Sequence, residues 1–210
     1  MRTLKVQGKG HISVKPDIVR LSFNVKAENL DYGACLNALN EQVERLRQSI
    51  FASGLEITNL KTSSYDVRVM TEYEDEQRIF LGYSASHRMH IELPVDKDIL
   101  NKVLSNIAQD YSGTEINISF SVKDKDSLRK KVLAEAVRTA MENAEIMASA
   151  SGIKLGKIIQ MSYGWSEVHI YEHDFSIEAM RAEAPYFEAN IEPEDISTSD
   201  VVTLVYELTD

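Results

Sequence analysis

The sequence predicts an α+β fold made of two β-α-β-β units, with an antiparallel-rich sheet and helices packed on one face. Three observations carry this. Ser22-Phe23-Asn24-Val25 precedes an amphipathic helical pattern that ends at Ser53-Gly54-Leu55, and Ser119-Phe120-Ser121-Val122 precedes a second that ends at Ser151-Gly152-Ile153. The stretch after each helix closes on a Ser-Tyr pair, Ser64-Tyr65 and Ser162-Tyr163. Each copy then finishes on an alternating strand, ending at Glu92-Leu93 and at Glu207-Leu208. Internal repetition fixes an architecture before any single motif does, and hairpins with helices between them place those helices on one sheet face. No Pro- or Ser-rich linker separates the copies. One domain over 1–210 is therefore expected, with repeats at about 17–93 and 114–208, a joining helix at about 96–110, and one shared sheet.

Residues 2–7 read as a short strand, Gly8-Lys9-Gly10 as a tight turn whose glycines supply positive φ, and 12–14 as the strand resumed. Pro16-Asp17 breaks the chain. Val19, Leu21, Phe23 and Val25 then alternate with Arg20, Ser22, Asn24 and Lys26, the period-two pattern of a strand with one buried and one wet face. Asn29 or Asp31 can cap the next helix. Its stripe is Leu36, Leu39, Val43, Leu46 and Ile50, and Gly54 supplies a left-handed stop. Residues 57–70 read as extended, the acidic 72–76 as a hairpin loop, and 83–93 as the returning strand.

Pro94 ends that strand and Asp96 can cap a shorter helix, with Ile99, Leu100, Val103, Leu104, Ile107 and Ala108 as its stripe. Ser112-Gly113 turns the chain into a strand with Ile116, Ile118, Phe120 and Val122 inward and Asn117, Ser119 and Ser121 outward. Asp124 or Asp126 caps the longest helix, whose stripe is Leu128, Val132, Ala136, Ala140, Ala144 and Ala148. Alanines at four-residue spacing let a helix approach a sheet or another helix closely. Packing within the chain is the preferred reading, an oligomer seam the alternative. Residues 158–163 and 201–208 are further strands. The irregular 165–193 has no counterpart in the first repeat, and a loop of that length in a compact domain is usually functional or mobile.

Composition narrows function mainly by exclusion. With 210 residues, 43% hydrophobic and 27% charged, the chain has an ordinary globular composition. Its net charge of −10 opposes general nucleic-acid binding, which needs a basic footprint, and docking on anionic lipid. Cys35 is the single cysteine, so no intrachain disulfide forms, and it reads as a small buried apolar residue. Residues 1–15 carry no signal-peptide apolar segment, and no stretch approaches the roughly 18 apolar residues of a membrane span. The expected location is cytoplasmic, without membrane insertion.

Chemistry-bearing patterns are few. His87 and His90 lie on opposite faces of one strand and cannot close on one ion. His169-Ile170-Tyr171-Glu172-His173 matches the H-x-x-E-H pattern of inverted zinc peptidases, where a helix brings both histidines to zinc and the glutamate activates water. Val168, Ile170 and Tyr171 favour an extended chain instead, in which positions four apart are separated by about 13 Å. Its third ligand would come from Glu178, Glu183, Glu188, Glu192, Glu194 or Glu207. Gly8-Lys9-Gly10 lacks the third glycine of a dinucleotide loop, and Pro16 stands where the helix should run. There is no G-x-S-x-G elbow and no P-loop. Glu72, Glu74, Asp75 and Glu76 read as a solvated loop. No catalytic residue, cofactor or metal is therefore assigned. A metal-dependent hydrolase on His169, Glu172 and His173 stands as one alternative. A small-ligand module walled by Tyr163, Trp165 and Tyr171 is another.

The order of features resembles the SIMPL-domain family. The matching residues are Gly8-x-Gly10, Pro16-Asp17, Gly54, Lys61-Thr62, Gly82-Tyr83, the alanine-spaced helix leading to Gly152-x-x-Leu155-Gly156, Ile191-Glu192-Pro193, and Tyr206-Glu207-Leu208. Together with Phe23 and Phe120, these glycines and Pro16 are expected to be structural. The resemblance implies no enzymatic activity and no catalytic residues to transfer. Bacterial members are often periplasmic proteins linked to stress responses, some forming ring- or channel-like homo-oligomers, and a eukaryotic relative is a signalling adaptor. The resemblance therefore implies a non-enzymatic homo-oligomeric scaffold or adaptor, related to stress, whose partner is itself. The chain departs from the family in its missing leader, which reads as an intracellular branch.

Overall fold

The computed structural model describes residues 2–74, 77–110, 115–164, 174–177 and 192–209. The α+β class holds: eight strands and three α-helices are described, in two antiparallel sheets. The chain forms two compact units. One comprises Met1–Pro16, Val122–Glu172 and Glu194–Asp210, and the other Asp17–Ser121 and His173–Pro193.

The second of these units is built on the alternation read from sequence. Its strands are β2 (Ile18–Asn29), β3 (Lys61–Glu74), β4 (Gln77–Pro94), β5 (Glu115–Ser121) and β7 (Asp174–Ile177), in the order β3-β4-β2-β5-β7. Val19, Leu21, Phe23 and Val25 of β2 are buried with Ala85, Met89, Ile91 and Leu93 of β4 and Ile116, Ile118 and Phe120 of β5. Helix α1 (Tyr32–Ala52) closes this core with Cys35, Leu39, Val43, Leu46 and Ile50. Asp31 caps it, its carboxylate accepting from the Ala34 N–H at 2.8 Å, and Gly54 at φ 88° follows its end. The Cys35 thiol is buried against the carbonyls of Ala27 and Tyr83. Helix α2 (Lys97–Asp110) adds Leu100, Val103, Leu104 and Ile107. The Asp96 carboxylate accepts from the N–H groups of Asp98 and Ile99. A short 3-10 turn, Ile57–Asn59, interrupts the extended run expected from residue 57, so β3 starts at Lys61.

In the other unit, β1 (Thr3–Val14), β6 (Lys154–Tyr163) and β8 (Ile196–Thr209) form a sheet of order β1-β8-β6. Helix α3 (Lys125–Ser151) packs on it through Ala136, Ala140 and Ala144, which share a core with Val6, Val202, Leu204 and Tyr206. Asp124 caps α3 by accepting from Ser127 N–H at 2.8 Å, and Gly152 at φ 69° ends it. The alanine stripe thus serves packing within the chain.

Further expectations are corrected. First, Gly8-Lys9-Gly10 is not a turn. It lies within the continuous strand β1, and the positive-φ glycines among the described residues are Gly54, Gly82 and Gly152. A Cβ on Gly8 would stand 2.1 Å from the Ala136 carbonyl oxygen and 2.2 Å from the Ala140 nitrogen; one on Gly10 would stand 2.1 Å from the Val132 oxygen. These glycines let the α3 backbone press on the strand, the opposite partner of the small alanines. Second, there are two sheets rather than one shared sheet. Third, the strand at 116–122 does not open the second β-α-β-β unit. As β5 it pairs with β2, placing Phe120 opposite Val19 and Ile116 opposite Phe23. The spatial equivalent of β2, α1, β3 and β4 is β1, α3, β6 and β8, since the order β6-β8-β1 repeats β3-β4-β2, although α3 follows β5 rather than β1 in the chain. Ser-Phe-x-Val recurs because both strands present the same face to one core, so similar local sequence marks neighbours rather than counterparts. Fourth, β7 lies inside the stretch expected to be irregular, pairing Ile177 with Ile116 and Asp174 with Ser119.

Candidate functional site

His169, Glu172, His173, Trp165 and Tyr171 lie outside the described residues, as does the turn expected at Ser112-Gly113. Among the described residues, no group of three or more His, Cys, Asp or Glu side chains could hold a metal ion. Tyr163, expected as part of an aromatic wall, donates its hydroxyl to the buried Asp200 carboxylate at 2.8 Å. The other Asp200 oxygen accepts from the Val201 N–H at 2.8 Å. The phenol tip is therefore committed to joining β6 to β8.

His87 and His90 each meet a hydroxyl from β3. Nε2 of His87 lies 2.9 Å from Thr62 Oγ1, and Nδ1 of His90 lies 2.8 Å from Ser63 Oγ. The register slips between Thr62 and Ser64, so consecutive hydroxyl residues serve imidazoles on opposite faces of β4. Tyr65 packs edge-on against His87 with ring centroids 5.2 Å apart. Burial, with the nearby Arg47 charge adding to it, holds the His87 pKa below the ordinary imidazole value. A Ser–His or Thr–His contact becomes a nucleophile–base pair when a third group orients the imidazole. Among the described residues, no carboxylate bonds either ring. These contacts fasten β3 to the sheet.

The β3–β4 hairpin is a further feature of the described residues. Strand β3 ends its sheet, with no strand among the described residues on its outer side. Tyr65, Val69, Tyr73, Ile79, Phe80 and Leu81 are all exposed, Tyr73 to 74%. Phe80 stacks edge-on against Tyr83, and Tyr83 against Tyr32, both at 5.3 Å. A second register slip, between Met70 and Thr71, falls at Gly82. That residue has φ 123°, and a Cβ there would stand 2.7 Å from the Asn29 oxygen. The bulge re-aims the hairpin tip, and only glycine fits it. In the other unit, a cleft of about 420 Å³ is lined by Lys5, Val6, Gln7, Asn143, Ile146 and Met147. Asn143 closes part of it by donating to the Gln7 carbonyl at 2.9 Å.

Sequence reasoning passed over the hairpin surface. Its signal was present: Tyr65, Val67 and Val69 on one side of the acidic 72–76 and Ile79-Phe80-Leu81 on the other.

The family described as SIMPL, protein of unknown function (DUF541), matches residues 4–206. The chain belongs to the SIMPL family. Among curated relatives, the 26 kDa periplasmic immunogenic protein of Brucella abortus (strain S19) is 24% identical over 76% of this SIMPL chain and 65% of its own length. The chain thus spans less than two thirds of that relative. Uncharacterized protein YggE of Escherichia coli (strain K12) is 22% identical over 96% of this chain and 81% of its own. A solved structure, the regulatory subunit of aspartate kinase from Thermus flavus, aligns over 95% of this chain and 89% of its own at 10% identity, with a TM-score of 0.21, too low to bear on the SIMPL fold. Among the described residues, no helix is long and apolar enough to cross a membrane.

Proposed function

We propose that this SIMPL protein is a non-enzymatic scaffold or adaptor that assembles with copies of itself, in a stress-related role. The observation that carries the assembly is the β3–β4 hairpin, where a strand edge unpaired among the described residues coincides with several exposed apolar side chains. Exposed large apolar side chains beside an open edge suit an interaction site, and an open edge is a template for strand addition. His87 and His90 support the non-enzymatic part, since their bonds to Thr62 and Ser63 hold two strands together. The stress-related part rests on family resemblance alone.

Light scattering on the full chain across micromolar concentrations tests the assembly. The expected result is a mass at least twice the 23.7 kDa of one chain. A strict monomer throughout that range overturns it.

A further inference from the structure

We infer that β3 pairs antiparallel with the β3 of a second copy, about a two-fold axis at Val67, joining two five-stranded sheets edge to edge. This rests on the homo-oligomeric reading and names the surface and register that serve it.

The edges of the two sheets differ in how they are protected. β7 ends the opposite side of its sheet and has 4 residues, too short to recruit a partner strand. β6 carries two register slips, and on β1 the Asn143 side chain occupies the Gln7 carbonyl. β3 has 14 residues and no proline. Its slips lie between Thr62 and Ser64 and between Met70 and Thr71, so residues 64–70 form an uninterrupted run centred on Val67. Natural edges are blunted by shortness, proline, bulges, charged side chains or a covering segment; residues 64–70 have no proline and no bulge, their two charges are of opposite sign, and no described strand covers them.

The run is self-complementary. Two antiparallel copies related by an axis at Val67 set Asp66 opposite Arg68 twice, Tyr65 opposite Val69 twice, and Ser64 opposite Met70 twice. Asp66 and Arg68 make no ion pair with any described residue. Tyr65 is 47% exposed and Val69 53%, and an aromatic facing a β-branched residue is a favourable cross-strand pair. The charges also choose the register. An axis at residue 66 sets Asp66 against itself, an axis at 68 sets Arg68 against itself, and a one-residue slip matches charged with apolar side chains and reverses every face. Position 67 alone pairs both charges with their opposites.

The test uses the full chain with Asp66→Arg, with Arg68→Asp, and with both changes together. Each single change creates two like-charge contacts across the axis, and the double change restores two ion pairs with reversed polarity. Light scattering is expected to show each single variant dissociating at concentrations about tenfold higher or more, and the double variant returning to within about threefold of the parent. Circular dichroism melts identify a single variant that fails to fold; the double carries both substitutions, so its recovery reads the interface. Register is read separately by mixing Asp66→Cys and Arg68→Cys chains under mild oxidation. The mixture is expected to cross-link while neither variant alone does, the native Cys35 being buried. Single reversals that leave assembly unchanged, a double variant that does not recover, or cross-linking of either variant alone overturns the edge pairing and leaves the scaffold reading standing. A parent chain that stays monomeric, with its β3 edge amides protected from hydrogen exchange, overturns both: another segment of the same chain then covers the strand.

Discussion

Replacing Gly8 with alanine should damage this protein more than a one-methyl change suggests. The added Cβ would sit 2.1 Å from the Ala136 carbonyl oxygen, 2.2 Å from the Ala140 nitrogen and 2.7 Å from the Ala140 Cα. All three are helix backbone atoms, so no rotamer change relieves the overlap. Ordinary van der Waals contact requires α3 to retreat by more than an ångström. That retreat opens a gap under Ala136, Ala140 and Ala144, each fully buried, and forfeits a quarter to a half of the dispersion at every contact it loosens. Overpacking a close-fitted core costs about 1–3 kcal/mol. Glycine-to-alanine inside a strand otherwise gains roughly 0.5–1 kcal/mol from the unfolded chain. Because rigid backbone is the obstacle, the cost lies at the upper end of the overpacking range, and after the offset the net should be about 2 kcal/mol. Urea unfolding followed by circular dichroism reads it as a lower midpoint at unchanged slope. Gly164→Ala is the control: a Cβ there would meet nothing within 4 Å, so it should be neutral or stabilising. Ala140→Gly should not rescue Gly8→Ala, since the clash is not with the methyl group. A Gly8→Ala midpoint within about 0.5 kcal/mol of the parent refutes the close approach.

Phe23→Ala and Phe120→Ala should each cost about 3–5 kcal/mol, because both side chains are buried in one core and each leaves a cavity; a cost under about 1 kcal/mol for either in urea unfolding contradicts that placement. His87 should make stability fall on mild acidification. Its folded pKa lies below the ordinary 6.5, so the unfolded chain binds the proton more readily. The contribution is complete above about pH 6.5 and is lost as pH falls from there toward the lower folded value. His87→Gln should flatten the urea midpoint against pH in that window, and an unchanged slope refutes the assignment.

What the sequence determined by itself is local. The alternation of Val19, Leu21, Phe23 and Val25, and the stripes of α1 and α3, follow from side-chain periodicity, which any stretch carries without reference to the rest of the chain. Helix ends were nearly as legible, since a carboxylate within reach of the first free N–H groups and a glycine past the last turn are local chemistry. Choosing Asp31 over Asn29, and Asp124 over Asp126, took the actual bonds to Ala34 and Ser127. Strand partnership lay beyond sequence reasoning. β2 and β5 look like repeats because both feed the same core, and a period of two says which face is buried but not which strand lies alongside. Gly8-Lys9-Gly10 reads the same locally whether glycine serves a turn or a close approach; α3, more than a hundred residues away, decides it. The candidate surface was hidden for the same reason. Tyr65, Asp66, Arg68 and Val69 form an ordinary strand sequence, and they come to lie on an edge unpaired among the described residues only once β3 is placed at the end of its sheet. An edge is a property of the assembled sheet, because the exposure of its backbone groups depends on which strands have already paired.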